Sequence, residues 1–478
     1  MKQAGWFLGL VGLVVLDGSI PAKGQDQTPS AREQQLEELV RSLSQRVEQL
    51  ESRLNTLEGG GETNPGTSAK IAELQSSVEE LKKQQPTAEE WASVKKWTSD
   101  PLTLRPFWKD GLRFENTGKS VSLKIGGRIQ EDYALFEEDG GLGRSFGDAF
   151  ADGTEFRTAR LYIEGEVYDN IEFKAQYDFA NGETDFKDVY LGLVNVGDWG
   201  SLRVGQFKEP FSLDELTSSN YITFMERGLP NAFVPGRNVG LMWYRPFADE
   251  RVTGAAGIFR KVDSSGRGQS DQQFAATARV TALPWYEDGG KRLFHVGLGY
   301  TLQEYKSEVR FSARPESHLA PRLADTGTIS ADSGNIVGAE LAYVHGPLSF
   351  QSEFMQAFIG GSDIPVRNSQ FWGGYVLASY FLTGETRPYK KSAGVFDRVR
   401  PLHNWREDGG WGAWELAARY SHLELNDGII RGGRLEDLSL GVNWYLNPNV
   451  RVMWDYVLSN PSHGGIVNIF ETRVQIAF

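Results

Sequence analysis

A 478-residue chain with 24% charged residues and a mean hydropathy of -0.40 is no helical membrane protein, since no run after the first twenty residues reaches about 18 apolar positions. A net charge of -13 leaves no global basic field for nucleic acid, and the lack of cysteine excludes disulfides and thiolate metal sites. Aromatic residues at 12% and 54 glycines suit twisted strands, tight turns and an aromatic belt, and the half-apolar strands of a membrane barrel escape the helix-length test.

In chain order, residues 1–24 combine Lys2, an apolar run from Trp6 to Leu16 and small residues around Ala22 and Gly24, the layout of a secretory signal peptide. Residues 25–86 change character. Leu36, Val40, Leu43, Val47, Leu50, Leu54 and Leu57 alternate steps of four and three, a heptad seam with Val40, Val47 and Leu54 at a and leucine at d. So narrow a stripe predicts a self-associating coiled coil, dimeric or trimeric, rather than a lone helix packed on its own chain. A Gly- and Pro-rich break at 59–68 separates it from a second short helix through Ile71, Leu74, Val78 and Leu81. Residues 87–118 show no sustained periodicity and read as a linker with one short helix.

From Lys119 onward the period becomes two. In 119–136, Val121, Leu123, Ile125, Ile129, Tyr133 and Leu135 alternate with Lys124, Arg128, Gln130 and Asp132. Segments 159–168 and 171–179 repeat the scheme around a tight hairpin at Tyr168-Asp169-Asn170. Fourteen further alternating segments bring the total to seventeen, the weakest being 308–314. Single-chain outer-membrane barrels use even strand numbers, so the expectation is sixteen antiparallel strands over 119–478 in an all-β transmembrane barrel with an N-terminal helical extension. A soluble sandwich also alternates, but several segments here are long enough to cross a hydrocarbon layer at a tilt. Short turns such as Asn447-Pro448-Asn449 against long connections such as 384–410 fit the short-periplasmic, long-extracellular pattern, which places 384–410 outside. The closing stretch IVNIFETRVQIAF (466–478) is expected to seal against the strand starting at Lys119, with Phe478 as a terminal girdle aromatic and assembly signal.

Particular stretches go further than periodicity. EFRTARLYIEGEVYDNIEFKAQYDFA (155–180), LRVGQFKEPFSLDELTSSNYITFMERGLPNAFVPGRNVG (202–240), YFLTGETRPYKKSAGVFDRVRP (380–401) and GVNWYLNPNVRVMWDYV (441–457) strongly resemble the phosphate-selective porin O and P family. The resemblance implies a trimeric outer-membrane porin, narrowed by an inward-folded loop and guided by basic side chains. The long segment 208–238 is the candidate for that loop, rather than a loop lying on the rim.

The expected pore-lining or constriction residues are Lys124, Arg128, Arg157, Arg160, Lys174, Arg203, Lys208, Arg227, Arg237 and Arg279. Strand parity sends Lys124, Arg128, Arg160, Lys174, Arg203, Arg279, Arg419, Arg451 and Arg473 inward, together with Asp132, Glu164, Glu166, Glu172, Asp178, Asp188, Glu353, Glu415, Asp437, Asp455 and Glu471. The two sets nearly cancel, which predicts a balanced wall without a dense basic ladder. Arg387, Lys390, Lys391, Arg398 and Arg400 form a second basic cluster, expected on an external loop.

The function these readings imply is passive diffusion of small hydrophilic solutes, with an anion or phosphate preference an open alternative. The competing reading is a structural anchor that tethers the outer membrane to the cell wall or a periplasmic partner through the coiled coil. Expected partners are outer-membrane lipid, solutes and two further copies of the chain, with the extension in the periplasm and no nucleic acid. Six histidines without metal-ligand spacing, and the lack of G-x-S-x-G or H-E-x-x-H, argue against an enzyme and give no cofactor.

Overall fold

The computed structural model describes residues 45–56, 71–79 and 103–478, save 140–141, 143–149, 181, 270–272, 362–367, 408 and 463. The signal segment, the break at 59–68 and residues 87–100 lie outside the described residues, as do Leu36, Val40, Leu43 and Leu57 of the heptad seam. Two units are distinguished, 1–100 and 101–478. In the first, 45–56 and 71–79 are helical, with Val47 and Val78 buried and Leu50, Leu54, Ile71 and Leu74 half-buried.

The second unit opens with a hairpin inside the stretch expected to be linker: β1 (Leu104–Trp108) and β2 (Leu112–Asn116). Sixteen long strands follow. They are β3 (Val121–Glu138), β4 (Gly153–Val167), β5 (Ile171–Asp178), β6 (Asp185–Leu193), β7 (Ser201–Lys208), β8 (Arg237–Phe247), β9 (Val252–Arg260) and β10 (Phe274–Glu287). Then come β11 (Arg292–Glu304), β12 (Ser333–His345), β13 (Leu348–Gly360), β14 (Ser369–Phe381), β15 (Ala413–Asp427), β16 (Ile430–Tyr445), β17 (Val450–Pro461) and β18 (Val467–Ala477). Each pairs antiparallel with its sequence neighbours, and β18 pairs with β3 from Val467↔Glu138 to Ala477↔Arg128. The barrel is therefore closed, and no edge of it is left unpaired in lipid.

Period-two patterning builds the wall. On β3, Ile129, Tyr133 and Leu135 are exposed outward, while Arg128, Gln130 and Asp132 are buried inward. Trp414 stacks on Trp444 at 5.2 Å and Trp454 lies 6.4 Å from it, an outer aromatic group near the turn Asn447–Asn449 that suits a membrane interface. The segment 308–314 is no barrel strand; it holds only two-residue pairings, Glu308–Val309 with Ile329–Ser330 and Ser312–Ala313 with Ala324–Asp325.

β18 stops beside Arg128, and β2 takes over the same edge of β3 from Leu112↔Ile125 to Glu115↔Ser122. Gly111 lets this happen. Its φ is +129°, and a Cβ there would meet Lys124 Cε at 2.8 Å and the Phe478 carbonyl carbon at 3.0 Å, so only glycine fits the approach. Trp108 then stacks on Phe478 at 6.5 Å.

Among the described residues, three long connections fold into the lumen. From the loop end come 209–236 and 305–332, whose Phe211, Leu229, Phe233, Phe311, Leu323 and Ile329 build an apolar core against Ile336, Met355, Phe371, Leu423 and Val457 of the wall. The third is 382–412, and here the expectation of an external loop is corrected. Leu382 N donates to Trp414 O and Trp405 N to Leu446 O, and Arg398 Nη1 donates to Pro448 O at 2.9 Å and Ala477 O at 3.3 Å. This connection belongs to the end of the barrel that carries the short turns, the periplasmic end in barrels of this architecture.

Candidate functional site

The inward connections divide the barrel wall into two unlike halves. Along β13 to β18, inward side chains clamp the backbone of 209–236. Glu353 accepts from Leu213 N and Asp214 N at 2.9 and 2.8 Å, Asp455 from Met225 N at 2.7 Å, and Ser421 Oγ from Leu229 N at 2.9 Å. Arg451 donates to Ile222 O, Asn443 to Thr223 O and Arg419 to Glu226 O, at 2.8, 2.8 and 2.9 Å. Arg473, with 1% of its side chain exposed, forks onto Asp132 with two bonds of 2.6 Å and also reaches Glu226 at 2.9 Å. These arginines and carboxylates are spent on holding a loop, since a buried backbone N–H or C=O must find a partner.

The opposite half faces an open space of about 710 Å³ between β3–β8, the loop 209–236 and the turn-end connection 382–412. Its lining holds thirteen Arg or Lys side chains against five Asp or Glu. One of the thirteen, Arg473, is neutralised as just described. The expected balanced wall is thus corrected: parity counts both halves together, whereas the carboxylates Glu353, Glu415, Asp437, Asp455 and Glu471 lie on the clamped half, away from the cavity.

Eight of the ten expected residues line this cavity: Lys124, Arg128, Arg157, Arg160, Lys174, Lys208, Arg227 and Arg237. Most of them have acidic partners. Arg157 binds Glu226 at 2.7 Å, Arg160 binds Asp178 at 2.5 Å, and Lys174 and Arg237 bind Glu164 and Asp188 at 2.9 and 2.8 Å. Lys208 and Arg227 share Glu215 at 3.0 and 3.1 Å. Burial raises the Glu215 carboxyl, but Arg227, Lys208 and Arg237 outweigh it and bring it down to about 2. Glu226 is likewise held well below the usual carboxylate range, its burial overcome by Arg157 and Arg473.

Two cations differ. Arg128 donates to the neutral oxygens Ser219 Oγ and Asn220 Oδ1 at 2.7 and 2.9 Å, and its Nε is buried without a partner. Lys124 donates to Tyr162 Oη at 2.5 Å. Neither forms a salt bridge among the described residues. Their positive charge is left for whatever occupies the cavity.

Arg203 and Arg279 do not line the cavity. Arg203 is stacked 4.1 Å from the Tyr190 ring and 5.0 Å from the Tyr244 ring while bound to Glu172 at 2.8 Å. Arg279 forks onto Glu340 at 2.9 and 2.8 Å and donates to Gly394 O, so the turn-end connection covers it. Within the second basic cluster, Lys390, Arg398 and Arg400 line the cavity, whereas Arg387 packs 3.6 Å over the Phe396 ring and Lys391 donates to Asp249 O. Asp110 and Arg113 of the hairpin, also at the lining, were missed; the Asp-Gly pair inside Leu-Arg-Pro-Phe-Trp-Lys-Asp-Gly-Leu-Arg-Phe was the available hairpin signal.

A closed sixteen-stranded barrel with an aqueous, charged lumen narrowed by inward loops is an outer-membrane porin. The sequence profile of the phosphate-selective porin O and P family matches residues 123–477, and the chain belongs to that family. It is 27% identical over 426 residues to Porin O of Pseudomonas aeruginosa, covering 80% of this chain and 94% of the relative. An uncharacterised Caulobacter vibrioides protein is 27% identical over 399 residues, covering 78% of this chain and 76% of that one. Solved barrels similar to it include a loop-deletion mutant of Vibrio cholerae OmpT, with 14% identity, 75% and 100% coverage and a TM-score of 0.49. An anion-selective porin from Comamonas acidovorans shows 13% identity, 75% and 100% coverage and a TM-score of 0.46.

Proposed function

We propose that this porin passes small hydrophilic anions by passive diffusion, phosphate among them, through the cavity along β3–β8. The observation that carries this reading is the lining of thirteen cationic against five anionic side chains, with Arg128 and Lys124 unpaired by any carboxylate. Clustered cations in a narrow, low-dielectric passage lower the barrier for anions and raise it for cations. Arg128, with neutral partners and a free N–H, is the group best prepared to exchange Ser219 and Asn220 for a phosphate oxygen. Lys208, Arg227 and Arg237 complete the constriction from the loop side.

The pore acts as a homotrimer in this reading, with the N-terminal extension in the periplasm. The test is chloride current through single channels in planar bilayers titrated with inorganic phosphate. Graded block at millimolar phosphate or below supports a phosphate site. Unchanged chloride current at all phosphate concentrations contradicts it.

A further inference from the structure

The hairpin that precedes the barrel puts a carboxylate into the turn-end mouth of the pore. Asp110 sits in its turn with φ 54°, followed by Gly111, whose close approach to Lys124 and Phe478 fixes where the turn can lie. From there Asp110 hydrogen-bonds Arg400 and approaches Arg398 Nη1 at 3.7 Å. Arg398 is the junction of this end: its Nε donates to Tyr221 Oη of the inward loop and its Nη1 to Pro448 O and Ala477 O. Asp110, Arg398, Arg400 and Lys124 all line the same cavity. Partial burial raises the Asp110 carboxyl, but the hydrogen bond from Arg400 and the charges of Arg398, Arg400 and Lys124 outweigh it, so the group is ionised throughout the neutral range.

We infer that Asp110 is a selectivity-setting residue of the turn-end mouth, masking Arg398 and Arg400 and making the pore less attractive to anions at that end than at its constriction. Asp110 belongs to the hairpin that precedes the sixteen wall strands. The inference rests on the anion-pore reading above. It adds an inhibitory charge on a residue outside the barrel strands.

The experiment measures zero-current potentials of the full-length protein in planar bilayers under a potassium chloride gradient applied from either side. Asp110→Asn should raise the chloride-over-potassium permeability ratio by about two- to threefold, the worth of one partly exposed ion pair, and increase rectification because only one mouth changes. Arg400→Gln should lower the ratio, and Asp110→Asn in that background should have a smaller effect than in the wild type. Asp110→Glu should restore the wild-type ratio. An anion-selective wild type whose ratio does not respond to Asp110→Asn, or responds equally in the Arg400→Gln background, overturns the inference alone. A wild type without anion selectivity overturns the pore reading and this inference with it. Should Asp110→Asn fail to assemble, an unchanged ratio in Arg400→Gln by itself overturns the inference.

Discussion

The two halves of this barrel wall use the same residue types for opposite ends. On β13–β18, Arg419, Arg451 and Arg473 point inward yet donate to carbonyls and carboxylates of the lumen-filling loops, and no more than 3% of Arg419 or 1% of Arg473 is exposed at the side chain. On β3–β8, Arg128 and Arg160 point inward by strand parity, Arg157 is turned inward beside the β3–β4 bulge and Arg237 stands at the start of β8, and all four line the cavity. An inward arginine is therefore not in itself a pore residue. What decides is whether loop backbone passes within reach of it, because a buried peptide group claims any donor or acceptor it can find.

Arg473, on the clamped half, carries the largest expected effect. Replacing it by Leu leaves Asp132 and Glu226 without their forked partner in a buried site, which costs about 3–5 kcal/mol. Arg473→Leu should therefore lower the temperature at which the folded band is lost in seminative electrophoresis and give noisy, enlarged unitary conductance as 209–236 loosens. An unchanged melting temperature would deny the clamp.

Arg128 tests the other half. Arg128→Gln removes a charge with neutral partners, and at an effective dielectric of about 20 such a charge is worth up to about 1–2 kcal/mol to an anion near it after screening. The chloride-over-potassium ratio should fall roughly three- to tenfold with folding stability little changed. A third change, Arg203→Gln, should leave selectivity where it was, since Arg203 does not line the cavity, while costing some stability through the lost stack on Tyr190. A selectivity change equal to that of Arg128→Gln would dissolve the distinction between stacked and pore-facing cations.

The smallest effect concerns pH. Glu215 has its carboxyl lowered from 4.5 to about 2, so its contribution to the closed loop is present above the ordinary value and is lost only as the pH falls through the lowered one. Unitary conductance should be steady from pH 7 to pH 4 on account of this loop and change near pH 2. In Glu215→Gln, Lys208 and Arg227 lose their shared partner, and the conductance should already differ from wild type at pH 7.

Much of the fold was legible as period two, because each wall residue has lipid on one side and lumen on the other. The false segment 308–314 alternates too, but Phe311 and Ala313 face an apolar core formed by the inward loops and the inner face of the wall rather than lipid. The location of 382–412 was misread from its length. Strand counting contains the answer: Tyr168–Asn170 and Asn447–Asn449 fall on one end, and the connection between β14 and β15 has the same parity of position. The charge balance was illegible for a different reason. No pattern in Asp455 or Glu353 announces that Met225 N or Leu213 N will arrive to meet it from hundreds of residues away in one case and over a hundred in the other. The hairpin at 104–116 was visible in its Asp-Gly turn but masked by the lack of further alternation around it.

In the anion-pore reading, the cations that line the cavity along β3–β8 set the selectivity of the pore. The zero-current potential of the wild-type protein in a planar bilayer under a tenfold potassium chloride gradient tests it most directly. Discrete channels with a potential close to the chloride equilibrium value are expected. A potential on the potassium side, or a membrane that shows no discrete conductance, would contradict it.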